Sequence, residues 1–214
     1  MISTIGQIIV WVFLFILISQ LIIRLIRHYY KFPIPGFMVD IIDNPLRRKI
    51  QPPCEMPDLF GIEPGMIVLE VGPGNGVYTV ESARRVGTSG KVITVDIQPK
   101  VIQRLITRTI AESLTNITGN IVNVHHLPYK DGIFDAIYMI AVIGEIPNPE
   151  KALQEFYRVL SPSGTLAFSE LLFDPDYPMV KTLTKWADQA NFVLRSKQGN
   201  FLVYTLVFEK GNQK

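Results

Sequence analysis

The chain opens on an apolar run, passes through a proline-broken stretch, and then alternates apolar and amphipathic segments to its end. Residues 2 to 23 carry no charged side chain, and Ile8 to Ile18 is an unbroken apolar run. Coiled as a helix, these 22 residues span about 33 Å at roughly 1.5 Å each, enough to cross a bilayer. Residues 33 to 60 begin Pro-Ile-Pro-Gly and include Pro45, Pro52, Pro53 and Pro57, too many prolines for one long helix, so two short helical pieces are expected there. Beyond them the pattern predicts strands at Ile67 to Val71, Lys91 to Asp96, Ile117 to Val122, Ala136 to Ile140 and Thr165 to Leu171. Helices are predicted at Val77 to Val86, Pro99 to Glu112, up to Leu160 after Pro149, and Met179 to Gln189. Phe192 to Lys197 and Phe201 to Glu209 close the chain as a hairpin across Gln198-Gly199-Asn200. Strands alternating with helices predict a doubly wound α/β domain.

Composition sharpens the reading of the first segment. Hydrophobic residues make up 48% of the 214 and charged residues 19%, more apolar than an ordinary soluble domain, as an added membrane segment requires. No lysine or arginine precedes the apolar run and no small-residue cleavage site follows it, so a retained anchor is expected rather than a signal peptide. Arg24, Arg27, His28 and Lys31 come immediately after, with Tyr29 and Tyr30 suited to the headgroup level. The positive-inside rule then puts everything after the span in the cytoplasm, with the lipid bilayer as partner of residues 2–23. Ser19 and Gln20 interrupt the apolar surface and leave a rival, a helix lying in the interface or packed on the protein. In the connector, Phe37, Met38, Val39, Ile41 and Ile42 make an apolar patch broken by Asp40, followed by the basic cluster Arg47, Arg48 and Lys49. Two readings stand for it: a membrane-surface lid drawn to anionic headgroups, or a short helix packed on the domain with a solvated charged face. A net charge of +2 is too small to point to nucleic acid, and the single Cys54 excludes an internal disulfide and a cysteine metal cluster.

The candidate chemistry begins at Ile67-Val-Leu-Glu-Val-Gly-Pro-Gly-Asn-Gly76. An apolar strand running into Glu70, Gly72, Gly74 and Gly76 makes a nucleotide-binding turn, because glycines admit positive φ and let a ligand reach the backbone N–H groups. A dinucleotide turn would need its third glycine at position 77, where Val77 stands. The E-x-G-x-G-x-G pattern instead resembles motif I of the class I S-adenosylmethionine (SAM) methyltransferases. Asp96 ends the second strand, where an acid of a doubly wound fold accepts hydrogen bonds from ribose hydroxyls; capping the next helix is its structural alternative. Leu127-Pro128-Tyr129, Lys130-Asp131-Gly132 and Phe134-Asp135 look like the D-A-x-x-L-P-F...F-D stretch of the broad group that includes the quinone-biosynthesis C-methyltransferases. The passage from Ile146-Pro147 through Pro149-Glu-Lys-Ala-Leu to Val159-Leu-x-Pro-x-Gly164 is similar too, and the resemblance covers about residues 44 to 210.

That resemblance implies a Rossmann-like seven-stranded sheet whose C-terminal hairpin carries one reversed strand. Together with the apolar and proline patterns, it divides the chain into an anchor with its basic flank at 1–31, a connector or lid at 32–60, and a methyltransferase domain at 61–214. SAM is the implied co-substrate, with no metal. The implied cofactor contacts are Glu70, Gly72, Pro73, Gly74, Gly76, Asp96, Ile97, Asn123 and Val124. Asn123 departs from the pattern, which has an acid there to bind the adenine amino group; its side-chain oxygen can still accept, without the charge. His125 and His126 are adjacent, lack the spacing of a helical metal pair, and read as loop residues.

Methyl transfer from a sulfonium is an in-line displacement at an activated carbon, so positioning and exclusion of water suffice and no strong catalytic signature is required. Glu145, beyond the fourth strand at the mouth of the crevice, is the candidate to deprotonate or orient an acceptor, with helix-terminus stabilisation as its structural alternative. Tyr78, His125 and Tyr177 rank below it. Three functions follow: a membrane-anchored methyltransferase of a hydrophobic acceptor such as a lipid or quinone, the same chemistry on a small soluble or thiol acceptor, and a non-catalytic SAM-binding module.

Overall fold

A computed structural model of the chain describes residues 4–35 and 42–211; the patch from Phe37 to Ile41 lies outside them. In chain order the elements are α1 (Thr4–Tyr29), α2 (Pro45–Ile50), α3 (Met56–Leu59), β1 (Ile67–Val71), α4 (Val77–Val86), β2 (Lys91–Asp96), α5 (Pro99–Ala111), β3 (Ile117–Ile121) and β4 (Phe134–Ile140). A 3₁₀ turn (Ile143–Glu145), α6 (Pro149–Val159), β5 (Leu160–Leu171), α7 (Val180–Gln189), β6 (Phe192–Gly199) and β7 (Val203–Lys210) complete it.

The strands form one seven-stranded sheet in the order β3-β2-β1-β4-β5-β7-β6. β1 to β5 pair in parallel, whereas β7 runs antiparallel to both β5 and β6, the reversed strand the family pattern implies. Successive residues of a strand face opposite sides of the sheet, and both sides are covered. Leu69, Ile137, Met139 and Phe168 pack on one face with Leu153 and Phe156 of α6, while Val68, Val92, Ala136 and Tyr138 pack on the other with Ala83 and Val86 of α4. In α6, Ala152, Leu153, Phe156 and Val159 are all fully buried, a helical stripe in which each large side chain contributes about 1.5–3 kcal/mol.

Strand order reverses between β1 and β4, and the crevice beyond their carboxyl ends is where a doubly wound fold binds ligands. The glycine turn opens it. Gly72 has φ +70°, and a Cβ there would lie 2.6 Å from Val142 Cγ2, so only glycine lets this turn pass the segment after β4.

Helix α1 stands clear of the domain along its apolar length: every residue from Ile8 to Ile18 is exposed, Trp11 by 71% and Phe15 by 73%. Packing of this stretch on the protein is thereby excluded. Its C-terminal end, by contrast, is docked on the domain. Arg24 donates to the carbonyls of Leu172 and Asp174, and Arg27 donates to the Asp176 carboxylate and to Phe32 O at 2.6 Å, its guanidinium 4.4 Å above the Phe32 ring. Lys31 reaches Asp176 at 3.3 Å. Arg27 is only 5% exposed, so this charge is directed into the domain.

Two further boundaries differ from expectation. The final turn falls at Asn200 to Leu202, because Asn200 Oδ1 accepts from Leu202 N at 2.8 Å and fixes an Asx turn there. β5 begins at Leu160, which pairs with Phe134 across a register shift.

Candidate active site

A cavity of about 650 Å³ occupies the crevice between β1 and β4, within the usual size range of ligand sites. Glu70, Gly72, Pro73, Gly74, Asp96, Ile97, Asn123, Val124 and Glu145 all line it. Gly76 does not: it is the N-cap of α4 with φ +80°, and a Cβ there would come 2.7 Å from Leu105 Cδ1 on the core side. Its glycine is required by the helix start and by α5, away from the cavity.

Each acid has a distinct environment. Glu70 is 3% exposed and accepts from Thr79 Oγ1 at 2.5 Å; burial pushes its carboxyl up to about 7, against the Thr79 hydrogen bond. It thereby ties the end of β1 to the first turn of α4. Asp96 accepts from Gln98 N at 2.7 Å, and burial raises its pKa, opposed by that bond. Asn123 Oδ1 already accepts from His125 N at 3.0 Å, so any ligand contact through this oxygen uses its second lone pair. The histidines serve the loop: His125 Nε2 meets Pro147 O at 2.7 Å and His126 meets Lys151 Nζ at 3.2 Å. Tyr177 is taken by Phe201 O at 2.8 Å and packs on Tyr204, away from the cavity.

Glu145 sits where α1 and the crevice meet. It accepts from Ile34 N at 2.8 Å and lies 3.9 Å from Arg27. Burial pushes its carboxyl up to about 8; the Ile34 N–H and Arg27 oppose the rise, and Asp174 and Asp176 add to it. A carboxyl with such a value exchanges a proton near neutral pH, as a general base must.

Further lining groups come from the segments after α1 and from α4. Lys31, Phe32, Pro33 and Ile34 form a strap across the cavity, bonded at Ile34 to Glu145 and, through Ile34 O, to Gln98 Nε2 at 3.0 Å. The basic cluster does not act as a unit. Arg48 pairs with Asp43 at 2.6 Å, Lys49 is exposed, and Arg47 turns inward, its buried Nε without a hydrogen-bond partner among the described residues. Asn44 caps α2 by accepting from Arg47 N at 3.1 Å, which sets the phase that aims Arg47 inward. Tyr78, held to Gln51 O at 3.1 Å, completes this wall. A second cavity of about 320 Å³ shares Ile34, Ile42, Arg47, Ala141 and Asp174 with the first and adds Leu46, Ile50 and Phe173.

The donor set fits a nucleoside bearing an amino acid: a carboxylate at the end of β2, the apolar Ile97, Val101 and Val124, and a glycine turn. Among the described residues no three His, Cys, Asp or Glu side chains gather as a metal site needs. The fold, the turn and the cavity define a class I SAM-dependent methyltransferase. Residues 62–211 match the methyltransferase domain family, and the chain belongs to it. Among curated proteins it is similar to the ubiquinone/menaquinone biosynthesis C-methyltransferases UbiE of Hydrogenovibrio crunogenus, 36% identical over 53% of this chain and 45% of the relative, and of Escherichia fergusonii, 31% identical over 68% and 57%. The chain spans about half the length of these relatives. A SAM-dependent methyltransferase from Aquifex aeolicus superposes with TM-score 0.77 at 22% identity, covering 82% of this chain and 98% of that one. The [4+2]-cyclase SpnF shares the fold too, with TM-score 0.67 at 16% identity over 75% and 80%, so the fold alone does not fix the reaction.

Proposed function

We propose that this chain is a membrane-anchored methyltransferase that methylates a hydrophobic, lipid- or quinone-like acceptor drawn from the bilayer, with its catalytic domain on the cytoplasmic side. The observation that carries the proposal is the strap: the four residues leaving α1 are a wall of the cofactor cavity, so the helix long and apolar enough to cross a membrane ends at the site itself. Similarity to enzymes named for quinone biosynthesis supports the same acceptor class.

In this reading SAM supplies an activated methyl group, and the protein positions and desolvates. Asp96 binds the ribose hydroxyls, Ile97 and Val124 flank the adenine, and Asn123 accepts from its amino group. The turn at Gly72, Pro73 and Gly74 lies against the amino-acid portion, with Glu70 bracing it from beneath and Gly76 starting the helix. Glu145 removes or holds a proton of the acceptor at its carboxylate oxygen.

Incubating native membranes with methyl-labelled SAM tests this directly. Label is expected in an organic-extractable product and, at limiting SAM, much reduced when Asp96 is replaced by alanine. Label confined to water-soluble products would instead favour a small soluble or thiol acceptor, and tight SAM binding without any labelled product would favour a non-catalytic module. Protease reaching the catalytic domain from outside intact cells would overturn the orientation.

A further inference from the structure

From the distribution of exposed apolar side chains we infer that the segment Phe173 to Met179, the hairpin tip at Phe201 and the start of α2 form a second, shallow membrane contact that frames the acceptor's entry port. The inference rests on the anchored reading above and specifies where the catalytic domain meets the lipid.

Leu46 is 67% exposed, Phe173 68%, Met179 64% and Phe201 70%. Single exposed apolar residues are ordinary, but these belong to one neighbourhood. Leu172 N donates to Leu202 O at 2.7 Å and Tyr177 donates to Phe201 O at 2.8 Å, which binds the hairpin tip to the segment after β5. Leu46 and Phe173 both line the second cavity, so α2 borders the same opening.

The occupant follows from α1. Arg24 donates to Leu172 O and Asp174 O, the carbonyls on either side of Phe173, so the helix that enters the bilayer leaves the domain beside this side chain. Arg24 is the first charged residue after the uncharged stretch that ends at Ile23, so these bonds set Phe173 beside the foot of that stretch. Exposed Lys49, one turn beyond Leu46, and exposed Lys181, beside Met179, supply cations suited to anionic headgroups. An apolar rim with flanking lysines, continuous with a spanning helix, is complementary to an anionic bilayer surface. The second cavity then opens at the lipid and shares a wall with the cofactor cavity, so an acceptor can pass inward without crossing water.

Single cysteines in a Cys54→Ser background, labelled with an environment-sensitive fluorophore, test this with full-length protein in phosphatidylethanolamine/phosphatidylglycerol vesicles holding shallow nitroxide-labelled lipid. The positions are Leu46→Cys, Phe173→Cys and Phe201→Cys, with Ile16→Cys in α1 and Ile110→Cys in α5 as references; Ile110 is as exposed, at 73%, and lies at the far end of its helix. SAM affinity of each variant reports that the domain remains folded. The expected result is at least twofold quenching at 46, 173 and 201, with Ile110 unquenched. Quenching at Ile16 while 46, 173 and 201 behave like Ile110 would overturn the contact and leave the anchor standing. Lack of quenching at Ile16 as well would overturn anchoring and the contact together, and equal quenching at Ile110 would overturn the contact as nonspecific adsorption.

Discussion

Replacing Asp176 by alanine isolates the joint between anchor and active site. Arg27 and Asp176 side chains are only 6% and 2% exposed, so the pair follows the rule for buried ions: removing one partner strands a charge and costs about 3–5 kcal/mol, whereas removing both costs far less. Arg27 would keep Phe32 O at 2.6 Å, the Phe32 ring, and Glu145 at 3.9 Å, which can ionise to meet it, so the low end, about 3 kcal/mol, is expected. The cost falls on docking of the strap rather than on the sheet, because the ion pairs of Asp176 go to Arg27 at the end of α1 and to Lys31 in the strap. The Ile34 amide, which donates to Glu145, is the natural reporter. A loss of about 3 kcal/mol should speed its hydrogen exchange by about a hundredfold in nanodiscs, while amides of β1 and β4 stay protected. The double variant Arg27→Met/Asp176→Leu should recover most of that protection. Exchange at Ile34 within threefold of wild type in Asp176→Ala would refute the joint, as would a double variant no better than the single.

Four other outcomes follow from the site. Asp96→Ala should weaken SAM binding by about 1.5–3 kcal/mol, roughly 10- to 100-fold by calorimetry, and unchanged affinity would remove Asp96 from the site. Glu145 is held near 8 when folded against an ordinary carboxyl value when unfolded, so the folded state keeps a proton the unfolded state has lost. Stability from this group is therefore full at acid pH and lost as pH rises through about 8; Glu145→Gln should flatten that decline in chemical denaturation, and equal slopes for the two proteins would contradict it. The same variant should abolish a rise in methyl transfer between about pH 7 and 8 if the carboxylate is the base. Gly74 has φ +58°, so Gly74→Val should lose SAM affinity and about 1–3 kcal/mol of stability; normal calorimetric binding by the folded variant would misplace the loop.

How far the molecule could be read in advance depended on whether partners lie close in sequence. β1, α4 and β2 have the expected ends because the apolar run, the glycine turn and Gly87-Thr-Ser-Gly90 each mark a boundary locally. The reversed strand came from the order of family motifs, since nothing in Val203 to Lys210 itself says which neighbours it will pair with. Gly76 looked like its neighbours in the turn, yet its direction is set by Leu105, far along the chain. Arg27 and Lys31 read only as a basic flank because their partner lies about 150 residues away, and the strap has no periodicity to betray it. Glu145 was legible as a position; its shifted pKa was not, because it is set by burial and by Ile34, Arg27, Asp174 and Asp176, which only the fold brings around it.

The separation of 149 residues between Arg27 and Asp176 also orders events in time. Ribosomes add about 5–20 residues per second, so α1 is complete roughly 7–30 s before the segment that will hold its arginines has been made. Throughout that interval Arg24, Arg27 and Lys31 are uncompensated cations, the form on which membrane orientation acts. Only when β7 slots between β5 and β6, the last strand synthesised, is the sheet beside the docking segment whole. In the anchored reading proposed above, the same side chains are thus available for two successive tasks, first to orient the helix during insertion and then to clamp the finished domain onto it.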